Sequence, residues 1–287
     1  MANTKEVRKQ ISSIKSTQKI TSAMEMVAAS KMKKTQDLML VGRPYSTKIQ
    51  EVITHIATSN SEHSHPFYED RSMKKACFIV VSTDKGLCGG LNINLFKSII
   101  AKAADFKSQN IDSVFGLVGL KAAAFFESVG GDVISSADKL GDKPNPEDLI
   151  GFTKVILDQH KNGEIDQVFL CSNRFLNTMT QQPTITPLVP LPKVDDEKLV
   201  TTHWDYIYEP EASSLLDGLL IRYVEALIYQ AVVENNACEQ AAKMIAMKNA
   251  TDNAGDLIKE LELLYNNVRQ AAITQELSEI VGGASAV

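Results

Sequence analysis

The sequence predicts a small α/β domain strung between two long terminal helices that carry coiled-coil seams. Three observations predict it. The first 41 residues contain neither proline nor glycine, and Glu211–Val287 holds no proline and only four glycines. All nine prolines lie between Pro44 and Pro210. Residues 76–200 alternate short β-rich runs with amphipathic helical stretches, the pattern of a sheet with helices on its faces. The expected division is an N-terminal coil helix over 1–57, a central α/β domain over 58–210 and a C-terminal coil helix over 211–287. At 287 residues, one globular unit of typical size leaves about 100 residues over, which suits a domain plus an extension.

In the N-terminal helix Val7, Ile11 and Ile14 recur at spacings of four and three, the seam of a coiled coil. Beyond them the seam thins into Thr17, Thr21, Ala23, Ala28, Ala29 and Ser30. Gly42-Arg43-Pro44 predicts a break or kink, because proline lacks a backbone donor and disfavours helix at the residue before it. Helical spacing resumes at Ile49, Val52, Ile53 and Ile56.

The C-terminal segment predicts one helix from Ser213 to Val281, roughly 100 Å at about 1.5 Å per residue. Leu216, Leu220, Tyr223 and Leu227 form one apolar run, and Leu257, Leu261, Leu264, Val268 and Ala271 form another. Between them lie Ala231, Ala237, Ala241 and Ala242, small residues that let helices approach closely.

In the middle, Cys77–Ser82, Val114–Val118 and Gln167–Cys171 read as buried strands, with helices near Leu91–Lys107, Lys121–Val129 and Pro146–Lys161. Thr184–Leu191, dense in proline, must be an edge strand or a loop. Ser82–Asn92 (STDKGLCGGLN) follows a strand and opens a helix, the setting of a phosphate-binding loop. Its glycines at 86, 89 and 90 fit neither the Walker pattern nor the dinucleotide fingerprint. A tight turn using glycines at positive φ, capped by Asn92 or Asn94, suits the composition better. His63, His65 and the pair Asp195-Asp196 read as loop residues, and no catalytic set can be assembled.

Composition excludes several classes. The net charge of −5 argues against a nucleic-acid binder in bulk, but Met1–Ala57 carries ten Lys/Arg against four Asp/Glu, a net of +6 that leaves −11 elsewhere. That basic end faces either an acidic partner or solvent. Cys77, Cys88, Cys171 and Cys238 show no paired or metal-binding spacing, which suits a reducing compartment. No stretch has the length and apolarity of a membrane span, and the N-terminus lacks the apolar core of a signal peptide. From the residues alone the function stays open. One reading is a nucleotide-binding α/β protein with coiled-coil oligomerisation arms, and another is a passive scaffold on the same coil.

Three motifs narrow it. Ile14–Lys34 (IKSTQKITSAMEMVAASKMKK), the turn at 82–92 and Ile273–Ala286 (ITQELSEIVGGASA) resemble, in the right order, the γ subunit family of the F-type rotary ATP synthase. The lack of an inserted dithiol segment makes the chain similar to bacterial forms. The resemblance implies a rotor whose N- and C-terminal helices form a long antiparallel coiled coil, with the Rossmann-like α/β domain packed at its base. Its coil would stand inside a hexamer of α and β subunits that carry the nucleotide sites. Its base would sit on a membrane ring of c subunits with the ε subunit alongside. It implies no cofactor, no metal and no catalytic residue in this chain, and a place at the cell inner membrane, peripheral on the cytoplasmic side. One charge crossing 100 mV is worth about 2.3 kcal/mol, so such a shaft must be stiff as well as slender.

The resemblance also implies contacts. Met24 matches the position that meets an acidic β loop, with simple seam packing as the plain alternative. Lys243 stands where many relatives have arginine, keeping the charge but losing the bidentate fork. Arg269, Gln270, Thr274 and Glu276 match positions that engage a β loop during rotation. Tyr206, Tyr208 and Glu209, in HWDYIYEP, match the foot that meets the c ring and ε, with core edge as the plain alternative for the tyrosines.

Overall fold

A computed structural model describes residues 4–59, 66–69, 71–191 and 212–284. The elements in order are α1 (Thr4–Ser59), a 3-10 turn (Pro66–Tyr68), β1 (Lys75–Val81), α2 (Leu91–Ser108), β2 (Asp112–Val118), α3 (Leu120–Ser128), β3 (Asp132–Ala137), α4 (Glu147–Lys161), β4 (Gln167–Phe175), β5 (Gln181–Val189) and α5 (Ala212–Ala284). The chain divides into two compact units, Met1–Ser30 with Lys243–Val287, and Lys31–Ala242.

The second unit is built on a five-stranded sheet in the order β3-β2-β1-β4-β5. β1 pairs in parallel with β2 and β4, β2 with β3 likewise, and β5 runs antiparallel on β4. Alternation along β1 divides the core, since successive side chains in a strand point to opposite faces. Ala76, Phe78 and Val80 pack with Leu95, Phe96, Ile99 and Phe106 of α2 and Ala122 and Phe126 of α3. Cys77, Ile79 and Val81 pack with Leu149, Phe152 and Ile156 of α4, with Leu220, Val224, Ile228 and Val232 of α5, and with Ile53 of α1. A strand covered on both faces has to be apolar throughout, which is why CFIVV reads so plainly in the sequence.

The proline-rich segment is the edge strand β5, where Pro183 and Pro187 cost no interior ladder bond. β3 is an additional strand that the pattern does not announce. Its sequence DVISSA has no fully buried residue, so it carries neither a clean alternation nor an apolar run. At the end of β2, Gly119 has φ +95°, and a Cβ there would lie 2.6 Å from the carbonyl oxygen of Ser82. Only glycine permits that approach.

Of the break or kink expected at Pro44, the break does not occur, since α1 continues through it to Ser59. One lost backbone bond is outweighed where packing holds the helix on both sides. Met39 before the proline and Ile53 after it are both buried in this unit.

In the first unit α1 and α5 run antiparallel. Lys15 Nζ meets Glu262 Oε1 at 2.8 Å, and the hydroxyls of Thr21 and Thr251 meet at 2.7 Å. On α1 the residues of this unit withdrawn from solvent include Val7, Ile11, Ile14, Gln18, Thr21, Met24 and Ala28 at spacings of three and four, with Glu25 beside Met24. Thr17, Ala23 and Ser30, expected in the seam, are exposed.

The α5 seam also differs from expectation. Met247, Thr251, Ala254, Ile258, Leu261, Tyr265 and Val268 are withdrawn from solvent, whereas Leu257 and Leu264 are 49% and 43% exposed. The leucine pattern and the actual seam share Leu261 and Val268. Leucines dominate the sequence signal, but α1 offers the small polar layer Gln18–Thr21, which suits Thr251 and Ala254 better than leucine.

Candidate interaction surfaces

The turn after β1 was the one stretch with the look of a ligand loop. Gly89 takes φ +58°, but so does the non-glycine Leu87 at +66°, while Gly90 is the helix cap at φ −84°. Neither Asn92 nor Asn94 caps α2 through its side chain. Asn92 instead is buried and ties the turn to β1. Its Nδ2 donates to Thr83 Oγ1 at 2.7 Å, and its Oδ1 accepts from Thr83 N at 3.3 Å. Asp84 Oδ1 accepts from the backbone of Leu120 at 3.0 Å and of Lys139 at 3.3 Å, linking the loops that leave β1, β2 and β3.

In a doubly wound sheet of this strand order, ligands bind beyond the carboxyl ends of the strands where the order reverses, here between β1 and β4. The chain's own helix α5 occupies that position. Phe175 N donates to Glu234 Oε1 at 3.0 Å, Asn173 Nδ2 donates to Asn235 Oδ1 at 3.0 Å, and Cys238 Sγ donates to Asn173 O at 3.3 Å. Cys88, Leu91 and Cys238 close the gap with Phe175 and Ala242 beside them.

Cys77, Cys88, Cys171 and Cys238 are buried thiols outside any disulfide. Burial pushes the Cys77 thiol up to about 12 and raises Cys171 and Cys238 as well, so none of these three is poised as a thiolate nucleophile.

Ala237 and Ala241 are fully buried within the second unit. The Leu220–Tyr223–Leu227 run faces the sheet core and not a coil seam. Of the small residues read as keeping the coil slender, Ala28 and Ala29 do belong to the first unit.

The first unit holds most of the expected contact residues. Met24 is half-buried on α1, between the buried Thr21 and Ala28, and Lys243 is half-buried on α5. Arg269, Gln270, Thr274 and Glu276 are all exposed. The Arg269 guanidinium lies 6.0 Å from the Tyr265 ring centroid, at the outer reach of a cation–π contact. Thr274 Oγ1 donates to its own helix at Gln270 O, 2.9 Å away. Tyr206, Tyr208 and Glu209 lie outside the described residues, as do His63, His65, Asp195 and Asp196.

A further feature accompanies them that residue-by-residue matching missed. Ile273, Leu277, Ile280 and Val281 are 49–67% exposed at spacings that put them on one face of α5. The i, i+4, i+7 spacing was present in ITQELSEIV and could have been read.

A family model described as ATP synthase matches residues 3–287. The chain belongs to the γ-chain family of ATP synthase. It is similar to a chain in the central stalk and c-ring structure of the Tetrahymena thermophila mitochondrial ATP synthase. That match has 28% identity and a TM-score of 0.63, covering 80% of this chain and 99% of that one. Two Euglena gracilis mitochondrial ATP synthase structures share the fold. The rotor structure matches at 16% identity and TM-score 0.51 over 88% of this chain and 99% of that one. The OSCP/F1/c-ring structure matches at 17% and 0.55 over 92% and 95%. As a γ-family member the chain is a rotor subunit of the central stalk, and the complex's catalytic sites lie on other subunits. Among the described residues no helix is long and apolar enough to cross a membrane.

Proposed function

We propose that this rotor subunit couples proton flow to ATP synthesis by turning within a hexamer of α and β subunits, driven by a ring of c subunits, with ε alongside. The observation that carries the reading is the end of α5. From Arg269 to Gly282 every described residue is exposed, including the apolar stripe Ile273, Leu277, Ile280 and Val281. Apolar surface of that kind calls for a covering partner. An apolar sleeve lets the helix turn, because hydrophobic contact has no preferred direction.

Met24, Lys243, Arg269, Gln270, Thr274 and Glu276 are the proposed β contacts, and Tyr206, Tyr208 and Glu209 the proposed contacts to the c ring and ε. Exposed Lys5, Arg8, Lys9 and Lys19 on α1 favour an acidic partner surface. The complex would hold the chain at the cell inner membrane as a peripheral subunit on the cytoplasmic side. Through its contacts it would also restrain ATP hydrolysis.

Co-purification with α and β subunits, followed by pumping assays, tests this. Deleting Glu276–Val287 is expected to weaken coupling while assembly partly survives. Met24→Lys, which adds a cation beside the acidic loop, is expected to impair pumping more than assembly. Unchanged coupling after shortening past Leu257 would rule out a rigid axle.

A further inference from the structure

The loop between β3 and α4 touches both long helices of the α/β unit at adjacent residues. Lys31 Nζ of α1 meets Asp142 Oδ2 at 2.6 Å, and Asn236 Nδ2 of α5 donates to Gly141 O at 3.2 Å. The loop is anchored on its other side to the sheet. Asp84 Oδ1 takes the N–H of Lys139, Gly119 N donates to Ala137 O at 2.8 Å, and Leu140 packs against the core. Lys139 and Gly141 both take positive φ, +57° and +72°, which shapes the loop into a compact turn.

We infer that Gly141–Asp142 is a torque clamp, with Lys31, Asp142 and Asn236 as positioning residues that fix the angle of both helices against the sheet. The inference rests on the rotor reading. Apolar packing resists separation but is non-directional and yields to sliding and twisting. Hydrogen bonds and ion pairs prefer defined geometry. A load passing from the α/β unit into α5 meets directional resistance at the β4 contacts of Glu234, Asn235 and Cys238 as well, but the Gly141–Asp142 loop grips α1 and α5 together. Lys31 and Asp142 are 41% and 57% exposed, so the ion pair adds little to folding stability. That separates its mechanical role from a structural one.

The test uses the whole complex in lipid vesicles, reading ATP hydrolysis and proton pumping together. Lys31→Asp and Asp142→Lys, each alone, are expected to lower the protons pumped per ATP below the wild-type ratio. Hydrolysis should continue. The double variant carrying both reversals should restore the ratio, which a purely structural defect or a contact of Lys31 with another subunit would not do. Where a reversal blocks assembly, Asp142→Asn and Asn236→Ala weaken the same two contacts and should lower the ratio. Single variants that assemble and pump at the wild-type ratio would overturn the clamp, as would a double variant no better than the singles. A wild-type complex that hydrolyses ATP without pumping would overturn the rotor reading itself.

Discussion

Asn173 donates from its side-chain nitrogen to Asn235 Oδ1 across 3.0 Å, joining the carboxyl end of β4 to the C-terminal helix. Both residues are almost wholly buried, at 1% and 0% exposure. Asn235→Ala leaves the Asn173 donor buried and unpaired, which costs about 1–3 kcal/mol. The expected result is a lower denaturation midpoint of the α/β unit. Because the helix already fills the crevice, the intact chain should also give no saturable signal on titration with ATP or ADP.

Thr21 and Thr251 form a polar layer in the coil. Each hydroxyl also lies near a carbonyl of its own helix, Thr21 near Gln18 O at 3.0 Å and Thr251 near Met247 O at 2.8 Å, so one hydroxyl donates across the coil while the other donates to its own helix. Replacing both by valine removes both partners of the inter-helix contact while keeping shape, a change that is close to neutral or stabilising. The Thr21→Val, Thr251→Val chain should therefore unfold no more easily than wild type, as circular dichroism during heating would show. A drop larger than that of either single variant would contradict this.

Ala241 is fully buried on α5 within the second unit. Ala241→Leu forces extra methylenes into a filled space, at a cost of about 1–3 kcal/mol. Chemical denaturation should show the loss. A leucine tolerated without penalty would mean the alanine is not there to allow close approach.

His160 is fully buried, with Nδ1 2.9 Å from the Ile165 carbonyl and Nε2 3.4 Å from that of Pro66. Burial holds its pKa below the usual histidine value, against the pull of those two carbonyls, with Arg71 lowering it further and Asp166 opposing. A base with a depressed folded pKa binds fewer protons folded than unfolded. Its stabilising contribution is complete above the unfolded value of about 6.5 and is lost as pH falls below it. Urea midpoints should fall between pH 7.5 and pH 5.5, and His160→Gln should flatten that slope.

Much of this was legible in the sequence. The apolar strands β1, β2 and β4 announced themselves because both faces of each are covered. Both terminal helices stood out because proline and glycine are scarce there, and three motifs carried the family. Other parts were hidden for physical reasons. β3 has no fully buried residue and splits its apolar side chains, Val133 toward one core cluster and Ile134 and Ala137 toward the other, so no clean alternation shows. The α5 seam was misplaced because exposed Leu257 and Leu264 gave a louder pattern than Ala254 and Ile258. Pro44 looked decisive as a local breaker, yet buried Met39 and Ile53 hold the helix through it. The alanines at 237 and 241 could be read as small but not as to what lies against them. The Gly141–Asp142 grip on α1 and α5 joins residues about a hundred apart in sequence, beyond any local pattern.

The central claim is that this chain turns. A bead fixed to the α/β unit, on a complex whose α and β subunits are held to a surface, reports that directly. The account predicts steady one-directional rotation that needs ATP and stops when the Met24 position is cross-linked to β. ATP hydrolysis at the normal rate beneath a stationary bead would contradict it.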